Sequence, residues 1–236
     1  MGIFWGIGVG PGDPEWLTIK GLRVLRAAAI VALPQNKQGH PGMAYEIVRE
    51  FLLPEQKIVP LALPFVRDAE ILQAAWQAAA RELLPALRQG KDIVFLSEGD
   101  ISFYSTFTYV ARALQEIEPN LTIRSVPGVC SPLAAASVLG EPLAIAGEKV
   151  AILPALYHPE ELSTALAWAE VVVLMKVASI YKPVWQYLAE QNLLDRTSLV
   201  AWVGGEKQTI LSNLVDAADY KPHYFSLLII RNHERA

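Results

Sequence analysis

"GIFWGIGVGPGDPEWLTIKGLRVLRAA", residues 2–28, decides how the rest of the chain is read. An apolar run ends in glycines at alternate positions, Gly6, Gly8, Gly10 and Gly12, and Asp13-Pro14 leads into an amphipathic helical pattern. A strand that passes through a tight turn into a helix is the opening unit of an open α/β sheet. Such sheets bind ligands beyond the C-terminal ends of their strands. A dinucleotide fingerprint needs G-x-G-x-x-G at this turn and an acid about 20 residues further on. Here the spacing is x-G-x-G-x-G, and Pro11 stands where a helix-opening residue belongs. Proline has no N–H to offer a phosphate. A Walker loop is excluded too, because no Gly-Lys-Ser/Thr follows. The turn is stiff and narrow, and lets a ligand approach the backbone closely; composition alone also allows a Gly-Pro loop with no ligand.

The chain is 236 residues long, 53% hydrophobic and 19% charged, enough to bury one large or two small cores. Its formal net charge of −4 argues against sequence-independent binding of nucleic acid, which needs a surplus of Lys and Arg. The single cysteine, Cys130, has no partner for an internal disulfide and points to a reducing compartment. The first residues lack the basic start and long apolar core of a signal peptide. The strongest apolar runs, "VVVLM" at 171–175 and "FSLLII" at 225–230, are too short to span a bilayer and read as buried strands. A cytoplasmic protein with no membrane partner is expected.

Strands are predicted over 3–8, 29–33, 57–60 and 92–97, with helices over 18–28, 42–52 and 69–88 between them. The third helix is the clearest: Ile71, Leu72, Ala75, Trp76, Ala79, Leu83, Leu84 and Leu87 keep to one face, Asp68 caps its start and Gly90 its end. This alternation predicts a largely parallel sheet with helices on both faces. A second half is expected from Pro119-Asn120 onward, with strands over 121–126, 149–154, 170–175, 198–203 and 224–231 and helices over 132–138, 159–169 and 180–191. The last strand carries polar positions, which suggests a mixed sheet. The expected architecture is two α/β domains, 1–118 and 119–236, the first with a parallel-rich sheet and the second with a mixed one.

Two further stretches repeat the opening pattern. "SEGDISFYST", 97–106, ends a strand in a Gly-Asp turn and opens a helix on small hydroxyls; "SVPGVCSPLAAAS", 125–137, ends one in a Pro-Gly turn and opens a small-residue helix. Three ligand-type turns thus lie at strand ends.

"GVGPGDPEWLTIKGLRVLRAA", "EGDISFYSTFTYVARAL" and "PGVCSPLAAASVLGEPL" resemble the three signature segments of the tetrapyrrole (corrin/porphyrin) methyltransferases, and the resemblance runs over nearly the whole chain. Within that family "GDISFYSTF", "PGVCSPLAAAS", "LPALY" and "VLMKV" look most like the branch that methylates C20 of precorrin-2 in cobalamin biosynthesis. The resemblance implies two α/β domains with S-adenosylmethionine folded into the cleft between them, a homodimer, and a small-molecule tetrapyrrole substrate. By match to the family's motifs, Pro11 lies against the cofactor, and Gly99 and Asp100 meet its methionine or ribose portion, with Ile101 and Phe103 alongside. Ser105 and Thr106 match the helix-opening hydroxyls, Cys130 and Ser131 the small pair after Pro127-Gly128, and Met175 the methionine near the adenine. Ile101 replaces the family's usual proline, and "AWVGGEKQTIL", 201–211, departs from its usual run near the end.

Each of these residues also has a structural reading. Cys130 is a small packing residue, Asp100 caps the following turn, Met175 is plain core and Phe103 a core aromatic. The four histidines, His40, His158, His223 and His233, are scattered without metal spacing, so no protein-held metal is expected. Methyl transfer from a sulfonium needs alignment rather than a nucleophile on the protein, which agrees with motifs of glycines, hydroxyls and apolar residues; no general base is nominated. The substrate's carboxylates call for donors, drawn from Lys37, His40, Arg49, Lys176 and Lys182, with Lys176 foremost because it follows Met175. Rival readings are a sibling acting on another precorrin or on uroporphyrinogen III, a dinucleotide oxidoreductase disfavoured by glycine spacing, and a catalytically silent cofactor-binding member.

Overall fold

The structure is a computed structural model that describes residues 1–35, 39–64, 66–155 and 159–233. It divides into two units, Met1–Cys130 and Ser131–Ala236.

In the first unit, strands and helices alternate as β1 (Phe4–Gly8), α1 (Ile19–Ala27), β2 (Ile30–Pro34), α2 (Met43–Val48), β3 (Lys57–Leu61), α3 (Ala69–Arg88), β4 (Ile93–Ser97), α4 (Phe107–Ile117) and β5 (Ile123–Val126). The five strands form one parallel sheet in the order β3-β2-β4-β1-β5. Alternate side chains along each strand feed two separate cores. Phe4, Ala32, Ile93 and Phe95 pack against α3 and α4, and Ile7, Val31, Val94 and Leu96 pack against α1 and α2. The sheet is therefore covered on both faces, as the near-continuous apolar strands predict. Helix α3 begins where Asp68 Oδ1 accepts from the N–H groups of Glu70 and Ile71, at 2.9 and 3.1 Å, and ends at Gly90, whose φ of +82° no L side chain adopts cheaply.

The second unit contains α5 (Ser131–Leu139), β6 (Val150–Leu153), α6 (Pro159–Leu166), β7 (Val171–Met175), α7 (Tyr181–Glu190), β8 (Thr197–Ala201), β9 (Thr209–Leu211) and β10 (Ser226–Arg231). Its sheet runs β6-β7-β10-β8-β9 and is mixed: β6 and β7 are parallel, and β10 lies antiparallel between β7 and β8. The mixture is as expected, but its cause is different. Ser226–Ile230 are all buried, so β10 is a central strand and has no solvent face. Val172, Leu174, Leu199, Leu228 and Ile230 form one core with Leu162 of α6 and Val184 and Leu188 of α7. Burial pushes the Tyr181 hydroxyl up to about 12, and that hydroxyl donates to the Ala217 carbonyl at 2.9 Å.

The boundary expected at 118/119 lies at 130/131 instead. The strand read as the first of the second half is β5, which pairs in parallel with β1 along Phe4–Ile7 and belongs to the first sheet. Two elements exceed the expectation. Helix α4 continues the opening at Ser105 and Thr106 to Ile117, and β9 was not foreseen. Among the described residues, no helix is long and apolar enough to cross a membrane.

Candidate functional site

In a parallel sheet every strand ends on the same edge. The sheet order makes β4, β1 and β5 immediate neighbours, so the three turns read from the sequence emerge side by side. They meet at three glycines. A Cβ on Gly128 would stand 2.4 Å from the Gly99 oxygen and 2.6 Å from Gly8, and one on Gly8 would stand 2.7 Å from both Gly128 N and Gly99 O. Real Cβ atoms do not approach backbone that closely, so glycine is required for the loops to pack (steric contact alone dictates it). Gly10 and Gly99 exchange both backbone hydrogen bonds, at 3.1 and 2.8 Å, which ties the first loop to the second.

Asp100 ties the second loop to the third. Its Oδ2 accepts from Gly128 N at 2.8 Å, and its Oδ1 accepts from Ser102 N at 2.8 Å and from the Ser102 hydroxyl. Burial acts to raise this carboxyl, but the hydrogen bonds from Ser102, Gly128 and Ile101 together outweigh it and hold the pKa below the ordinary Asp value of 3.8. The turn-capping reading of Asp100 therefore holds, and a carboxylate oxygen retains lone pairs for a further donor.

Pro11 is buried and Gly99 lies beneath the edge. Ile101 is 3% exposed and packs into the α3/α4 core with Phe107, so its side chain does not face the edge and only its backbone remains there. Phe103 is half-buried, edge-on to the exposed Tyr104 at 4.6 Å. The buried Ser105 accepts from Phe107 N at 3.1 Å and so opens α4; Thr106 is its N-cap position without a side-chain cap bond. Cys130 is half-buried and in no disulfide, and Ser131 begins α5.

Within the second unit, Met175 closes β7 opposite Leu227, and Lys176 follows with a left-handed φ of 53°. Lys176 Nζ lies 5.8 Å over the Tyr224 ring. His40 is exposed, and Lys37 and His158 lie outside the described residues. Arg49 pairs with Glu46 at 3.1 Å and Lys182 with Asp219 at 3.6 Å, both as exposed surface pairs. The sequence reading missed an aromatic group at the same edge of this sheet, Trp202, His223 and Phe225. The one available signal was that "AWVGG" departs from the family's run. Among the described residues, no group of three His, Cys, Asp or Glu side chains is placed to hold a metal.

What could this glycine edge hold? The stretches 8–13, 97–106 and 126–131 contain no Lys or Arg but carry Asp13, Glu98 and Asp100. With Pro11 lacking an N–H and Gly10 and Gly99 bonded to each other, the edge suits a ligand with positive charge and a flat, neutral body, and not a diphosphate. A nucleoside joined to an amino acid through a sulfonium fits that description.

Residues 4–219 match the family model of the tetrapyrrole (corrin/porphyrin) methylases. The cobalamin biosynthesis protein CobIJ of Mycobacterium tuberculosis is 30% identical over 97% of this chain, which spans 46% of that relative's length. A probable cobalt-precorrin-2 C(20)-methyltransferase of Methanocaldococcus jannaschii is 28% identical over 98% of this chain and 96% of its own. The crystal structure of the methyltransferase CobJ superposes with a TM-score of 0.75 at 19% identity, covering all of this chain and 97% of that one, which establishes the shared fold.

Proposed function

The chain belongs to the tetrapyrrole (corrin/porphyrin) methylase family, and from that premise we propose that it transfers a methyl group from S-adenosylmethionine to C20 of precorrin-2 or cobalt-precorrin-2. The reading is carried by the meeting of Gly8, Gly99 and Gly128, which brings three separate signature segments to one sheet edge. Full-length similarity to a probable cobalt-precorrin-2 C(20)-methyltransferase supports the choice of substrate.

S-adenosylmethionine supplies an electrophilic methyl group on a sulfur that leaves as a neutral thioether. The chain's task is to hold two partners in line and exclude water. Holding near-attack geometry can contribute about 7–11 kcal/mol to the barrier. On this reading Pro11, Gly99 and the backbone of Ile101 form the surface against the cofactor, with Phe103, Cys130 and Ser131 completing it. Asp100 attracts its positive groups while bracing the loops. Ser105 and Thr106 set the start of α4. In the second unit, the reading gives Met175 to the cofactor and Lys176 to a substrate carboxylate. The electron-rich C20 carbon of the reduced ring is the nucleophile, so no triad is required on the protein.

The deciding assay offers precorrin-2, with and without cobalt, together with methyl-labelled donor. A trimethylated product labelled at C20 is the expected result. Label on another carbon, or methylation of uroporphyrinogen III only, assigns a sibling reaction. Binding of S-adenosylhomocysteine without turnover on any precorrin assigns a silent member. Lys176→Ala is expected to raise the tetrapyrrole KM about tenfold, the worth of one charge-assisted contact. An unchanged KM removes Lys176 from the substrate site.

A further inference from the structure

Strand β5 is the outer strand of the first sheet, with β1 as its one neighbour. The Phe4 N–H donates to Thr122 O at 3.0 Å, and a parallel ladder gives the backbone groups of every second residue to the inner neighbour. Thr122, Arg124 and Val126 therefore face β1 with their backbone, and the N–H and C=O groups of Ile123 and Ser125 point away from the sheet. Among the described residues those groups meet no hydrogen-bond partner. Ser125 is exposed, and Ile123 is half-buried against the α3/α4 core. An open edge of this kind is a template for one more strand.

The side chains beside the edge are basic. Arg124 is in register with Trp5, so it stands on the α1/α2 face of the sheet, with its guanidinium carbon 5.4 Å from the centre of the Trp5 ring. Helix α1, which covers that face, carries Lys20, Arg23 and Arg26 at three-residue intervals, so that they neighbour one another on its surface, and all three are exposed. None of the four cations forms an ion pair among the described residues. No Asp or Glu occurs between Glu15 and Glu46 or between Glu118 and Glu141. On a chain of net charge −4 this flank is a local reversal of sign.

Scattered surface cations are ordinarily just solvated, and a single charge is enough to discourage two sheet edges from pairing. Four unpaired cations with no carboxylate in their stretches, beside an open strand edge, go beyond both needs. We infer that β5 accepts an extended segment of a partner protein in which acidic and apolar side chains alternate. Backbone hydrogen bonds to Ile123 and Ser125 hold the segment, and charge selects it. Successive side chains of an added strand point to opposite faces, so its acidic residues meet Arg124 and the α1 stripe while its apolar ones meet Ile123. A second copy of this chain is the disfavoured occupant, because antiparallel pairing of two β5 edges sets like charge against like along the seam. Nothing in this docking depends on which tetrapyrrole is methylated.

The test titrates the full chain with a short, end-blocked, fluorescein-labelled peptide of alternating glutamate and valine, read by anisotropy. The peptide is expected to bind at low salt and to weaken as salt rises. Arg124→Glu should weaken it about tenfold, and so should Lys20→Glu with Arg23→Glu, with S-adenosylhomocysteine affinity within about twofold of the unaltered chain in both cases. Should Arg124→Glu fail to fold, the α1 pair decides, since both of its positions are exposed helix surface. The same peptide N-methylated at alternate bonds has lost the donors that a strand needs and should bind about tenfold worse or not at all. No binding of the acidic peptide by the unaltered chain overturns the inference. Equal binding of the N-methylated form does so too, since it reduces the flank to loose attraction for polyanions, and equal binding of a lysine–valine peptide reduces it to apolar adhesion. Tighter binding of duplex DNA gives the flank to nucleic acid, and a dimer in sedimentation that Arg124→Glu disperses gives the edge to a second copy; either result also overturns the inference.

Discussion

Asp100 and Gly128 are joined by one hydrogen bond, and each half of the pair makes a separate prediction. Asn in place of Asp100 presents either an oxygen or an NH2 group to Gly128 N, and cannot satisfy Ser102 and Gly128 together as a carboxylate does. The folded-state pKa lies below the ordinary 3.8, so the carboxylate's contribution to stability is complete above that value and is lost as pH falls through the folded value. The Tm gap between the unaltered chain and Asp100→Asn should therefore be widest near neutrality and close in acid. A gap that stays constant down to about pH 3 would mean that the ionised form is not what matters. Gly128→Ala places a Cβ 2.4 Å from a backbone oxygen that has no flexible end to yield. It should cost about 3 kcal/mol or more in denaturant unfolding and abolish S-adenosylhomocysteine binding, because the third loop must move. Near-normal binding by Gly128→Ala would show that the loops do not need this contact. At this scale the glycines were legible because only one residue type permits the approach. The left-handed Lys176 and Trp202 were not, since nothing local favours that conformation in a lysine or a tryptophan and only tertiary packing imposes it.

Helices and strands were legible in proportion to their local signals. The limits of α3 came from Asp68, Gly90 and a repeating leucine face. By contrast β9 has three residues and no buried position, too short for any periodicity to register. The C-terminal end of α1 depends on a residue that no helix signal marks. Gln56 is 8% exposed, and its Nε2 donates to the carbonyls of Leu25 and Ala28, both at 2.7 Å, while its Oε1 accepts from Leu53 N at 2.8 Å. One amide thus satisfies two carbonyls at the end of the helix and one N–H of the turn before β3. Gln56→Ala strands the Ala28 carbonyl and the Leu53 N–H, leaves the Leu25 carbonyl with only the long bond from Ala28 N at 3.4 Å, and should cost about 2–3 kcal/mol by urea unfolding. Gln56→Glu keeps the acceptor but turns the donor into a second acceptor facing carbonyls, so it should cost more at neutral pH than in acid. A loss below about 0.5 kcal/mol for Gln56→Ala would mean that water replaces the amide without penalty.

Two sheets, one parallel and one mixed, follow from where apolar runs fall, but the sequence does not reveal which strands are neighbours. β5 was read with the strands after it because it comes after the Pro119-Asn120 pair, where the second half was expected to begin. Its partner is β1, more than a hundred residues earlier, through Phe4–Ile123, Trp5–Arg124, Gly6–Ser125 and Ile7–Val126. Such pairing is decided by the long-range closure of the sheet and has no local signature. It also has a measurable consequence. A fragment ending at residue 118 lacks β5, so the apolar strand β1 becomes a sheet edge with unpaired N–H and C=O groups, and the third glycine loop is missing altogether. A fragment ending at residue 130 keeps all five strands and both halves of the Asp100–Gly128 bond. The longer fragment should therefore stay monomeric and unfold cooperatively in urea, whereas the shorter one should aggregate or melt without a sharp transition. Equal midpoints for the two would mean that β5 adds nothing to the first sheet, and the same result would deprive the glycine edge of its third loop as a fixed part of the site.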